Sequence, residues 1–312
     1  MHQKSNQLGS WTNPNEFLRI IEIVPPKESR FPPSFFETLA SLQQEADYFS
    51  VPSNPMGNIH MANEEVCREI AMFCKRPTIL HLPTKGRDLL QHQSHLLGLH
   101  RMGIRNLFIV MGDPSKIPAD NPFLQQPVLD SVDLIRLIKE KFNRGLNCLE
   151  ELIGDPTGFS IGCAVNLTPN PLAKEVSKAE PEFQMDRLNL KIQAGADYII
   201  TQPIFDAEKA LAFLKDFEHH YGPIPIPIFP GIVPIGSIEQ LQTFSKIPGI
   251  TIPPPIMQKL GKLDKASFSQ ESLKLTRETM QQLKSAHPRI RGIYLVSSFS
   301  SPTLIKNIYS RL

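Results

Sequence analysis

The stretch Lys191 to Asp206, KIQAGADYIITQPIFD, restricts the possible folds more than any other part of the chain. Gly195 follows an amphipathic run and tolerates the positive φ that ends a helix. Tyr198, Ile199 and Ile200 then form a short apolar run without alternation, as a parallel strand covered on both faces requires. Thr201, Gln202 and Pro203 close that strand on polar chemistry. Asp206 is placed to cap a new helix whose Ala210, Leu211, Leu214 and Phe217 share a face. Helix, strand, polar end and helix make one unit of a barrel or of a doubly wound sheet.

The same unit recurs along the chain. Strands are expected at Arg19–Val24, Tyr48–Val51, Thr78–Leu82, Asn106–Met111, Phe159–Val165, Tyr198–Ile200, Ile224–Phe229 and Ile293–Ser297, with helices between them. Asp88 with Gln91 three residues on reads as a capping box, and Gly103 as the end of that helix. Helices are also expected over Ile238–Phe244, Ser269–Ser285 and Pro302–Arg311. Eight alternations over 312 residues predict an α/β fold, a single-domain (β/α)8 TIM barrel spanning residues 17–312 behind a polar arm of residues 1–16. An open Rossmann-like sheet fits less well, because no G-x-G-x-x-G follows the first strand.

Composition removes several function classes. With 33 basic and 31 acidic residues the net charge is +2, which gives a nucleic acid no clustered basic excess to bind. The apolar run Ile224–Ile235 is broken by Pro225, Pro227, Pro230 and Pro234 and cannot be a membrane helix. The polar first residues do not read as a signal peptide, and the four cysteines contain no C-x-x-C pair, so a reduced cytoplasmic protein is expected. His92 and His95 sit three apart on a helix with no ligand beside them in sequence, and read as a partly exposed helix face with no metal.

In such barrels the carboxyl ends of the strands carry the chemistry. That rule places His81, Gly112, Asp113, Asn166, Gln202 and the Pro230–Pro234 run on the functional rim, and the second Gly-Asp-Pro, at Asp155, on the other. Glu22 interrupts the apolar strand Ile20-Ile21-Glu22-Ile23-Val24. A carboxyl there is either paired with a basic group or kept protonated, and the second state suits general-acid work. His81 and Gln202 are equally readable as satisfied polar groups at strand ends, and Phe244 as one position of a core stripe with Ile238 and Leu241.

These segments resemble the methylenetetrahydrofolate reductase family, and within it the reductase half found fused to homocysteine S-methyltransferase. The likeness rests on IIEIVPPK, ILHLPTKGRD, QSHLLGLHRMGIRN leading to MGDPSK, AGADYIITQPIFD, and PGIVPI followed by PGITIP, in that order. No methyltransferase half accompanies them here. The resemblance implies an oxidoreductase of one-carbon metabolism and methionine biosynthesis. It implies a flavoprotein that passes hydride from NAD(P)H through FAD to 5,10-methylenetetrahydrofolate, and a homo-oligomer open to an electron-transfer partner.

By the same resemblance Glu22 is the general acid, Asp113 acts beside the flavin and the pterin, and Gln202 and Phe244 bind folate. His81, Gly112, Asp113, Asn166 and Lys191 bind FAD. The chain departs from the family pattern at Met111, at Pro52 and across Asn166–Asn170, with Lys174 and Lys178 as a substitute grip on the FAD pyrophosphate. Those departures leave two alternatives: a flavin-independent reductase with direct hydride transfer, and a non-catalytic folate-binding or electron-transfer-complex subunit.

Overall fold

The computed structural model describes residues 16–113, 129–169, 180–247, 250–296 and 302–309. The expected arm, Lys174 and Lys178 lie outside these residues, apart from Glu16. Eight parallel strands close into a barrel in sequence order: β1 (Leu18–Glu22), β2 (Tyr48–Val51), β3 (Thr78–Pro83), β4 (Asn106–Val110), β5 (Ser160–Val165), β6 (Tyr198–Pro203), β7 (Ile228–Ile232) and β8 (Gly292–Leu295). Around them lie α1 (Pro33–Leu42), α2 (Asn63–Cys74), α3 (Leu89–Arg101), α4 (Ser131–Glu140) and α5 (Pro181–Gln193). The outer layer continues with α6 (Ala207–Tyr221), α7 (Ile238–Phe244), α8 (Pro254–Leu260), α9 (Lys265–Ala286) and α10 (Pro302–Tyr309). This is the expected (β/α)8 architecture.

Alternation along each strand separates two cores. Leu18, Ile20, Tyr48, Ile79, Phe108, Tyr198, Ile200, Phe229 and Tyr294 fill the barrel interior. Their neighbours, among them Ile21, Phe49, Leu80, Leu107, Ile161, Ile199 and Ile228, face outward onto the helices. Gly162 is required inside: a Cβ there would stand 2.2 Å from the Tyr198 ring.

The local signals in the opening segment are present. Gly195 has φ +103°, and the Asp206 side chain accepts the Lys209 amide. Asp88 and Gln91 form the reciprocal capping box of α3. Two placements differ from expectation. β7 begins at Ile228, four residues later than the apolar run, because Pro223, Pro225 and Pro227 cannot donate to a ladder. Pro230 inside β7 coincides with a register shift against β6, where Thr201 Oγ1 accepts the Gly231 amide at 2.9 Å. His92 is fully buried rather than on an exposed face, and His95 Nε2 lies 2.7 Å from Glu64 Oε1 of α2.

The segment between β7 and β8 adds α8, which the sequence did not announce, and an Asp264 cap that starts α9 earlier than expected. Together with α7 these helices enclose a satellite core of Val233, Ile235, Leu241, Phe244, Ile250, Leu260 and Phe268. Among the described residues no helix is long and apolar enough to cross a membrane, and no group of His, Cys, Asp and Glu is arranged to hold a metal.

Candidate active site

Three strands carry an inward polar residue near their carboxyl ends, above the apolar interior. Glu22 follows Leu18 and Ile20, Ser50 follows Tyr48, and His81 follows Ile79, each two residues on and so on the same face. Glu22 and Ser50 are register partners across β1 and β2. Barrel closure then brings β8 beside β1, and Tyr294 supplies a hydroxyl from the opposite end of the chain.

These four groups touch. Tyr294 donates its hydroxyl hydrogen to Glu22 Oε2. Ser50 Oγ lies 2.8 Å from His81 Nε2, and the Tyr294 hydroxyl lies 3.5 Å from the same nitrogen. The His81 ring also meets Phe108 edge-on, with centroids 4.9 Å apart. Glu22 is 7% exposed and His81 8%. Burial pushes His81 down to about 3, so its imidazole is neutral. Burial first, then the Glu22 charge and hydrogen bond, raise Tyr294 well above the ordinary tyrosine range, and it keeps its proton. Ser50 and Tyr294 were not read from the sequence. The available signal was the one that singled out Glu22: a polar residue at inward parity near the carboxyl end of an apolar strand.

The remaining predicted residues divide between the rim and elsewhere. Asp113, just beyond β4, is exposed and accepts the Met56 amide at 2.5 Å. Met56 has φ +57° in the β2–α2 loop, so this carboxylate bridges two rim loops. Gly112 has φ +87° and packs against Pro83, where a Cβ would come within 3.0 Å. Asn166 follows β5, and its Oδ1 accepts the Thr168 amide at 3.0 Å. Gln202 is exposed near the end of β6, within the stretch where its register shifts against β7. Asn63 fixes the carboxyl ends of β2 and β3 by donating to the Val51 and His81 carbonyls at 3.1 and 2.8 Å.

Two predicted residues do not reach the mouth. Phe244 is 2% exposed and its ring belongs to the satellite core, so packing claims it. Lys191 extends from α5 under the helix layer, where Nζ donates to the Ala164 carbonyl at 2.7 Å. Burial lowers its pKa, and the nearby Arg187 adds to that effect. A helical side chain leans toward its own amino terminus, which carries Lys191 along the outside of β5 rather than into the barrel. Two cavities also lie away from this cluster, one beneath α7 to α9 beside Ile232 and Leu241, the other between α5 and α6 beside Glu182, Asp216 and His220.

The arrangement comprises a buried carboxyl with a hydroxyl donor near the carboxyl ends of β1 and β8, with hydrogen-bonding groups on neighbouring strand ends. A carboxyl so placed suits delivery of one proton to a molecule bound at those strand ends.

Comparison with known proteins agrees with the sequence resemblance. The family model described as methylenetetrahydrofolate reductase matches residues 8–312. A probable methylenetetrahydrofolate reductase (NADPH) of Caenorhabditis elegans is 27% identical over 248 residues, covering 77% of this chain and 34% of the relative. The 5,10-methylenetetrahydrofolate reductase of Escherichia coli (strain K12) is 32% identical over 164 residues, 52% of this chain and 45% of that protein. The matches thus span less than half the length of either relative. Among solved structures, an uncharacterized protein from Clostridium thermocellum that binds two copies of 5-methyl-5,6,7,8-tetrahydrofolic acid superposes with TM-score 0.64 at 17% identity, over 95% of this chain and 97% of that one. At that identity the likeness concerns the fold.

Proposed function

The chain belongs to the methylenetetrahydrofolate reductase family, and on that premise we propose that it reduces 5,10-methylenetetrahydrofolate to 5-methyltetrahydrofolate with hydride from NAD(P)H carried by bound FAD. The observation that supports this most is Glu22, a carboxyl at the barrel floor held by Tyr294 where a folate entering the mouth would meet it. Opening the imidazolidine ring of the substrate requires a proton on the departing nitrogen, and Glu22 is the donor. The iminium carbon so formed accepts hydride and becomes the methyl group. Gln202 and Asp113 supply the polar contacts that orient the pterin from the rims of β6 and β4.

For the flavin, the described residues fit in part. Gly112, Asp113 and Asn166 stand just beyond the adjacent strands β4 and β5, with Gly112 at the positive φ a tight turn needs. These three would hold the flavin. His81 and Lys191, engaged with Ser50 and with the Ala164 carbonyl, are not part of its grip. Bound FAD would supply two-electron hydride transfer between nicotinamide and folate. A flavin-independent reductase is the second reading, favoured by those same engagements and by Met111 and Pro52 at flavin-contacting positions of the pattern.

The deciding experiment reconstitutes the full chain with FAD, measures retained flavin by absorbance, and follows 5-methyltetrahydrofolate with NADH and NADPH as donors. Flavin-dependent product supports the first reading, and equal product without flavin supports the second. A protein that makes no product under either condition overturns both.

A further inference from the structure

Four side chains that are far apart in sequence and buried together at the barrel floor are arranged in a definite order. His81 Nε2 is 2.8 Å from Ser50 Oγ, and Tyr294 donates to Glu22. The Tyr294 hydroxyl also lies 3.5 Å from His81 Nε2. That hydroxyl has one proton to give, and Glu22 Oε2 takes it.

We propose that Tyr294 is a positioning residue for Glu22, donating its hydroxyl hydrogen to that carboxylate from the closing strand β8. It thereby sets how readily that carboxyl gives up its proton. The proposal rests on the reading of Glu22 as the general acid. A donor aimed at the carboxylate stabilises the state left after proton delivery, and in a buried site aligned donors reinforce one another. His81, beside the Tyr294 hydroxyl, is neutral and adds no charge to the cluster. The other titratable groups of the interior are Tyr48, pushed up to about 12, and Tyr198, whose hydroxyl donates to the Leu107 carbonyl at 3.0 Å. Both stay neutral. Asp113 stands above on the rim, beside Met56.

The test is a titration of the Glu22 carboxyl in full-length protein carrying 13C-labelled glutamate, its signal assigned by its loss in Glu22→Gln. Removing one hydrogen bond to a charged group in Tyr294→Phe is expected to raise the Glu22 pKa by about one to two units. The alkaline limb of the pH profile for folate reduction, where the acid loses its proton, should move upward with it. An unchanged Glu22 titration in folded Tyr294→Phe overturns the proposal. Should that variant fail to fold, full-length protein carrying 3-fluorotyrosine, whose more acidic hydroxyl donates more strongly, decides: a downward shift of the Glu22 titration supports the assignment and no shift overturns it. If the wild type reduces no folate while Glu22 shifts as expected, the reductase reading falls and the assignment of Tyr294 stands.

Discussion

Phe244→Ala separates two physical roles for one ring. The family pattern makes Phe244 a wall on which folate stacks, whereas the structure buries it to 2% exposure among Val233, Ile235, Leu241, Ile250, Leu260 and Phe268. Deleting a ring from such a cluster removes its transfer free energy and leaves a void, together about 3–5 kcal/mol. Unfolding entropy near 2.1 cal/mol/K per residue gives roughly 0.65 kcal/mol/K for a chain of this length, so Tm should fall by about 5–8 °C. Calorimetry of wild type, Phe244→Ala and Phe244→Leu measures this, with the leucine variant losing a smaller part. KM for methylenetetrahydrofolate, taken well below both transitions, should change little. An unaltered Tm combined with a KM raised about tenfold, equivalent to about 1.4 kcal/mol, would refute the packing argument and return the ring to the ligand.

Two further perturbations follow from the same geometry. Burial holds the His81 imidazole down to about 3, against about 6.5 in an unfolded chain, so below pH 6.5 the unfolded state takes up a proton that the folded state refuses. Stability from this group is therefore present above about pH 6.5 and lost toward pH 3, which amounts to about 2 kcal/mol between pH 6.5 and pH 5. Denaturant midpoints at pH 7 and pH 5 should differ less in His81→Gln than in wild type, and an identical difference would contradict the placement. Gln202→Ala, at an exposed strand end, should leave Tm and flavin content unchanged while raising KM for folate by about 5- to 30-fold, the loss of about 1–2 kcal/mol of hydrogen bonding. Equal loss of flavin and folate affinity would show that β6 is wrongly placed at the mouth.

Features governed by neighbours in sequence were legible from the residues alone. The Gly195 stop, the Asp206 cap and the Asp88–Gln91 box need only a few consecutive residues, and all three are formed. Glu22 stood out because an apolar strand cannot hide a carboxyl without a partner. The partner itself was invisible, since Tyr294 meets Glu22 only when β8 closes against β1, across 272 residues of chain. Pairing of β3 beside β2 brings Ser50 to His81. Alternating Ile and Pro before β7 imitated a strand in hydropathy while lacking the amides to build one, so its start was misread. The resemblance assigned Lys191 to FAD, whereas in the structure its ammonium donates to the Ala164 carbonyl, a contact that only the packing of α5 on β5 reveals. Phe244 had the spacing of a core stripe, and α8 and α9 supply the rest of that core.

The central claim is that a buried carboxyl on β1 delivers the proton that opens the folate ring. It is tested most directly by mixing the protein, reduced by NAD(P)H, with 5,10-methylenetetrahydrofolate in a single turnover, comparing wild type with Glu22→Gln. The amide keeps the shape and can still accept the Tyr294 hydrogen bond but has no proton of comparable acidity to give. The predicted result is unchanged reduction by NAD(P)H and retained folate binding, with formation of 5-methyltetrahydrofolate slowed by about 10²- to 10⁴-fold. Formation of product by Glu22→Gln at the wild-type rate would contradict the account.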